Sequence, residues 1–330
     1  MGKAKQKISQ EGWRTTKKER RSYIIGDLGR TLEGYIVSHL LKGFIIVTAM
    51  MSTFMIFQGI NMAAIAGAML IVKIIDAFDD VIFGYLVDRI HITEWKAFKK
   101  VTGEGKYLPW YRLTFFLFPI FTALFFCMPR GWGAGGKLAW FFIFYLLYDL
   151  SYTLVEVPMQ SMIVTLTDNT DERNSILQTK TIINSIATIG AGMLWTVAIS
   201  EHVGIGIREV ALVSSVAFFF MMLPLGRGVK EHNTTLANVD PTETEKYSLK
   251  DMWTCIKTNK YLMLLLLSTV ITSCLQTGGA VGLLVSYYHF GSSLVMAIPI
   301  LISLIPVILA QMQTRKLVNR FGKLKVFMVA

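Results

Sequence analysis

IVKIIDAFDDVIFGYLVDR, residues Ile71–Arg89, lies inside an apolar run and yet carries Lys73, Asp76, Asp79 and Asp80. At about 100° per residue, Lys73, Asp76, Asp80, Gly84 and Asp88 fall on one stripe of a helix, with Asp79 turned roughly a quarter-turn away. In a bilayer each charge near the helix centre costs about 2.5–3.5 kcal/mol, whereas each Leu, Ile, Phe or Val returns only about 0.3–0.6 kcal/mol. Four charges outweigh their apolar neighbours. Such a helix is tolerated inside a bundle with its stripe facing partners or a water-filled cavity, which by default marks an ion or substrate path. The competing reading is a structural ion pair, Lys73 with Asp76 or Asp80, that locks two helices together.

The rest of the chain supplies the bundle. Its 330 residues are 53% hydrophobic and 17% charged, with a mean hydropathy of +0.49. Those values point to an all-α polytopic membrane protein rather than a water-soluble domain. Cys127, Cys255 and Cys274 have neither metal-ligand nor redox spacing. The chain has no HExxH, no GxSxG and no Walker P-loop, so neither an intramembrane enzyme nor an ATP-driven pump is expected. No organic cofactor is implied.

A polar, basic stretch over 1–22 reads as a tail, without the short apolar core and cleavage site of a signal peptide. Spans are expected at roughly 31–57, 62–88, 112–129, 138–164, 179–201, 208–225, 260–286 and 293–313, each long enough to cross about 30 Å of hydrocarbon. The first span carries Arg30, Glu33, His39 and Lys42 in its first half, too polar a set to face lipid. The organisation expected is a tail (1–22), a six-helix bundle (23–225), a central loop (226–259) and the opening of a second bundle (260–330).

Placing the tail in the cytoplasm puts nearly all loop Lys and Arg on the same side and leaves Arg130, Lys137 and Arg208 outside. The positive-inside rule thus accounts for the net charge of +11 without invoking nucleic acid. The expected location is the cell membrane, with several spans in the lipid bilayer and a cytoplasmic N-terminus.

Leu86-Val87-Asp88-Arg89 closes the second span, and Leu317-Val318-Asn319-Arg320 follows the eighth. Matching pieces six spans apart fit parallel six-helix halves, a standard transporter plan. On that plan a second half extends past Ala330, with about four spans more than this chain holds. Asp88, Arg89 and Arg320 are candidate gating contacts, made in one access state and broken in the other; the alternative is an ordinary solvated helix end.

Four stretches then carry a family likeness: GDLGRTL from Gly26, Asp76-Ala77-Phe78-Asp79-Asp80 with Gly84, Gly105-Lys106-Tyr107-Leu108-Pro109-Trp110, and Tyr152-Thr153-Leu154-Val155-Glu156-Val157-Pro158, joined by Glu172-Arg173. In this combination the chain resembles the glycoside-pentoside-hexuronide:cation symporters, the melibiose-permease-like branch of the major facilitator superfamily. The resemblance implies that fold and alternating-access symport of a sugar, glycoside or hexuronide with Na+, Li+ or H+. It also implies a cation site at Asp76 and Asp80, and a sugar and cation role for Glu156. A sugar-binding aromatic of the family falls near Gln160, an acidic residue near Thr31, and a basic sugar contact at Lys180 or Thr181. Animal relatives of this branch carry lysolipids, so a non-sugar cargo, or a sensor that binds without transport, is the alternative.

The residues allow that chemistry. Carboxylates four apart on a helix, Asp76 and Asp80, can point at one hard cation. Lys73 can compete for them when the cation is absent. Tyr145, Asp149, Tyr152, Thr153, Glu156 and Gln160 form a second polar stripe, with an aromatic platform beside carboxylates and an amide, as a pyranose requires. Polar contact between helices is its competing reading. Candidate substrate residues are Lys73, Asp149, Tyr152, Thr153, Glu156 and Gln160, with Lys180 added by the resemblance.

Overall fold

A computed structural model describes residues 13–50, 61–90, 92, 105–199 and 203–232, with isolated positions between 254 and 322; side chains at 39, 41–50, 62, 66, 77 and 196 are outside it. The spans expected at 260–286 and 293–313, the central loop beyond 232, and His39 and Lys42 therefore fall largely or wholly outside the described residues. All regular structure among the described residues is helical: α1 (Lys17–Met50), α2 (Met62–Arg89), α3 (Leu108–Thr114), α4 (Leu117–Phe126), α5 (Ala134–Leu166), α6 (Thr170–Ile199) and α7 (Ile207–Gly228). The stretches Leu108–Phe126, Ala134–Leu166, Thr170–Ile199 and Ile207–Gly228 are each long and apolar enough to cross a membrane. An all-α membrane bundle is what the composition called for.

Helix ends follow local chemistry. α1 begins at Lys17, inside the stretch expected as a tail, because Thr16 and Glu19 form a capping box: the Glu19 amide donates to Thr16 Oγ1 (3.2 Å) and the Thr16 amide to Glu19 Oε2 (2.7 Å). Asn61 caps α2 by accepting from the Ala63 amide at 2.8 Å. α5 continues through Pro158, which has no N–H for the Leu154 carbonyl; the Thr114 hydroxyl, shared with the Trp110 carbonyl at 2.9 Å, reaches that carbonyl instead at 3.2 Å.

α1 packs most extensively on α7 and also meets α4, α5 and α6, while α2 lies against α5. The α1–α7 approach depends on Gly26 and Gly29. A Cβ at Gly26 would stand 2.8 Å from Leu225 Cδ1 and closer to its Cβ, and one at Gly29 would stand 3.0 Å from Met221, Met222 and the Phe218 carbonyl. α1 turns its charge inward, with Asp27, Arg30 and Glu33 all buried and the Ser215 hydroxyl donating to Glu33 Oε1 at 2.8 Å. Three phenols tie neighbouring helices through backbone carbonyls: Tyr23 to Met159 (3.1 Å), Tyr111 to Met222 (2.9 Å) and Tyr148 to Gly34 (3.2 Å).

Candidate functional site

Two polar clusters meet along α5. In the first, α1 supplies Asp27 and Arg30, three residues apart and therefore on one face. Arg30 Nη1 donates to the Tyr152 hydroxyl (2.9 Å) and to Glu156 Oε1 (3.0 Å), and its Nη2 lies 3.3 Å from Asp27 Oδ1. From α6, Lys180 Nζ donates to Gln160 Oε1 at 3.0 Å and pairs with Asp27 Oδ1 at 3.2 Å, and Asn184 Nδ2 donates to Asp27 Oδ2 at 2.7 Å. Two carboxylates thus balance two cations. Asp27 is wholly buried, whereas the Glu156 side chain is 31% exposed. Arg30 Nε and Asn184 Oδ1 are buried without hydrogen-bond partners, a spare donor and a spare acceptor in one pocket of charge.

The second cluster joins α2 to α5. Lys73 Nζ lies 2.8 Å from Asp76 Oδ2 and 3.0 Å from Asp149 Oδ1, and the Thr153 hydroxyl donates to Asp80 Oδ1 at 3.2 Å. One carboxylate oxygen each from Asp76, Asp79 and Asp80 lies within 4.8 Å of the others. That spacing is close to what three oxygens sharing one hard cation require. Asp79 is buried and both its oxygens lack partners. A buried, uncompensated carboxylate is costly, and a bound cation or a proton removes the cost. The residues present therefore fit a cation whose ligands are carboxylate oxygens.

The sequence-derived candidates sort between these clusters. Tyr152, Glu156, Gln160 and Lys180 meet Arg30 in the first, while Lys73, Asp76, Asp80, Asp149 and Thr153 meet in the second. Asp149 therefore stands with Lys73 rather than with Glu156, although both lie on α5. Asp27 and Asn184 were not singled out by sequence reasoning, nor was Arg30 beyond its polarity. The signal for the first pair was present in GDLGRTL, where an acid and a base stand three apart. Asp79 was set aside on angle, but it lies only about 60° from Asp76 around the helix, close enough for their carboxylates to converge.

The end of the bundle that holds Arg89 is tied by loop residues. Asp88 Oδ1 pairs with Lys106 Nζ (3.1 Å) and accepts from the Tyr107 hydroxyl (3.0 Å), while Arg89 lies over the Tyr85 ring at 4.8 Å. Burial, with the Asp88 carboxylate beside it, pushes the Tyr107 phenol up, so it stays a donor. Glu231 accepts from the amides of Lys106 (3.0 Å), Tyr107 (2.8 Å) and Leu108 (2.5 Å). Gly105 is required at φ +118°, and a Cβ there would stand 2.9 Å from the Glu231 carboxyl carbon. Arg320 lies over the Phe321 ring, and among the described residues no ion pair joins it to Asp88. Glu172 is fully buried and accepts from the Arg14 and Thr15 amides at 3.1 Å each and from the hydroxyls of Thr15 and Thr167.

Comparison with known proteins gives a consistent picture. Residues 22–330 match a family described as MFS/sugar transport protein. The chain is 27% identical over 246 residues to the isoprimeverose transporter of Lactiplantibacillus pentosus, covering 71% of this chain and 47% of that protein. It is 25% identical over 327 residues to the uncharacterized symporter YjmB of Bacillus subtilis (strain 168), covering 96% and 65%. Against the glucuronide carrier protein homolog of Escherichia coli (strain K12) it is 27% identical over 147 residues, covering 44% and 30%. The chain thus spans about half to two thirds of the length of the first two relatives.

Proposed function

Because the chain belongs to the MFS/sugar transport protein family, we propose that it forms part of a secondary transporter. In this reading it carries a sugar, glycoside or hexuronide across the cell membrane together with Na+ or H+, by alternating access, with its N-terminus in the cytoplasm. The coupling cation binds among Asp76, Asp79 and Asp80, with the Thr153 hydroxyl beside Asp80. The sugar binds at Arg30, Tyr152, Glu156, Gln160 and Lys180, where an aromatic ring, amides and charged groups suit hydroxyls and an apolar sugar face.

The observation that supports coupling is the adjacency of Tyr152 and Thr153. The hydroxyl of Tyr152 accepts from Arg30 in one cluster, and that of Thr153 donates to Asp80 in the other. Consecutive residues of one helix touch both sites, so neutralising the α2 carboxylates shifts the same turn of α5 that shapes the sugar site. The relatives named as an isoprimeverose transporter and a glucuronide carrier homolog support a sugar cargo.

Uptake into sealed proteoliposomes tests the reading, using labelled glycosides and hexuronides under an imposed Na+ or H+ gradient. Gradient-driven uptake abolished by Asp76→Asn and by Asp80→Asn is expected. Uptake indifferent to both gradients, or intact in both variants, refutes the cation site. Binding of a sugar without flux would replace the transporter with a sensor, and flux of a lysolipid instead of any sugar would replace the cargo.

A further inference from the structure

Lys73 is shared unequally. Its ammonium lies 2.8 Å from Asp76 and 3.0 Å from Asp149, but the Asp76 side chain is 26% exposed and the Asp149 side chain only 6%. Ion pairs strengthen as their surroundings become less polar. Removing the ammonium from Asp149 would also leave a buried carboxylate uncompensated, because Asp149 Oδ2 is already buried without a partner. Removing it from Asp76 exposes that carboxylate to water and to any cation nearby. The contact on the α2 carboxylate, although the shorter, is therefore the one that costs less to give up.

Resting on the cation site proposed above, we infer that Asp149 is a positioning residue for that site: it retains the Lys73 ammonium when a cation takes Asp76. The cation displaces Lys73 from one carboxylate only. The lysine keeps its charge compensated on α5, and the α2 carboxylates are released to the incoming ion. Without Asp149 the ammonium has Asp76 as its remaining carboxylate among its described ion pairs, and it competes with the cation for that group. Asp149 thus acts on cation affinity through Lys73.

This assignment gives opposite signs for the two partners. Cation affinity is measured on the purified full chain by calorimetric titration with Na+ and with Li+, and by acid titration with an indicator dye in alkali-free buffer. Lys73→Gln should tighten binding of whichever cation the unsubstituted protein takes, and Asp149→Asn should weaken it, each by about tenfold, within the usual range of coupling between contacting residues. In the Lys73→Gln background Asp149→Asn should change affinity by less than about twofold, because the ammonium it positions is gone. Asp149→Glu, which keeps the charge, should restore most of the native affinity.

A loss on Asp149→Asn that is as large without Lys73 as with it means that Asp149 acts by its own field, and overturns the inference. So does Lys73→Gln with unchanged or weaker binding, a result that stands even if Asp149→Asn does not fold. No cation binding by the unsubstituted protein overturns the cation site itself, a result distinct from either of these.

Discussion

Adding one methyl group at Gly26 tests the packing on which the first cluster depends. A Cβ there would lie 2.8 Å from Leu225 Cδ1, and closer to the Leu225 Cβ, which cannot turn away as a side-chain tip can. Ordinary carbon contacts are about 3.5–4.0 Å, so α1 and α7 must part by roughly 1 Å. Overpacking of this kind costs about 1–3 kcal/mol. Asp27 and Arg30 follow on the same helix, and the guanidinium contacts of 2.9 and 3.0 Å to Tyr152 and Glu156 would stretch towards the limit of hydrogen bonding. Gly26→Ala should therefore melt earlier in detergent, by about 2–4 °C per kcal/mol lost, and bind sugar more weakly. Leu225→Gly, which removes the Cβ as well as the rest of the side chain, supplies the control. Leu225 is fully buried, so this change alone costs at least about 2–5 kcal/mol, with about 0.5–1 kcal/mol more for glycine inside a helix, but it vacates the space the new methyl needs. In that background Gly26→Ala should be neutral or stabilising. Equal losses in both backgrounds, or a Gly26→Ala protein that melts like the parent, would refute the close approach of the two helices.

Arg30→Lys keeps a charge but not a fork able to serve Tyr152, Glu156 and Asp27 at once. Sugar affinity by calorimetry should fall by at least about tenfold, the equivalent of one charge-assisted hydrogen bond, while cation affinity stays near that of the parent. Thr114→Val should cost about 1 kcal/mol by removing the donor to the Leu154 carbonyl. The loss should vanish with Pro158→Ala, whose amide supplies the missing N–H, as thermal melts of the four proteins would show. The Glu19 carboxyl is pushed up by burial, but the Thr16 amide and hydroxyl and then His232 outweigh this and hold it below its ordinary 4.5. A depressed folded value means stability that is present above about pH 4.5 and is lost as pH falls through the folded value. Acid melts of Glu19→Gln should therefore be flatter below pH 4.5 than those of the parent.

The parts of this protein that were legible in its sequence are those where two tendencies collide in a short window. Charge inside an apolar run exposed the α2 stripe and the Tyr152–Gln160 side of α5, because no lipid-facing helix tolerates it. The start of α1 was obscured because Thr16-Lys17-Lys18-Glu19 is as polar as a tail, and only the spacing of Thr and Glu betrays a helix cap. Asp27 was visible in GDLGRTL only as an acid three residues from a base; its importance comes from Lys180 and Asn184, more than 150 positions away in sequence. Asp149 shows the limit of periodicity. A stripe on one helix says which residues share a face, but α2 takes Asp149 while α1 and α6 take Glu156 and Gln160.

The three phenols that cross between helices have a mechanical consequence. Each reaches from its own helix to a backbone carbonyl of another, Tyr23 and Tyr148 linking α1 with α5 and Tyr111 linking α3 with α7. Sliding by a single residue would move a carbonyl 1.5 Å along its axis, enough to break bonds already 2.9–3.2 Å long. These phenols act as cross-pins against shear. Within each pair they join, α1 with α5 and α3 with α7, the two helices can tilt together far more readily than they can slip past one another.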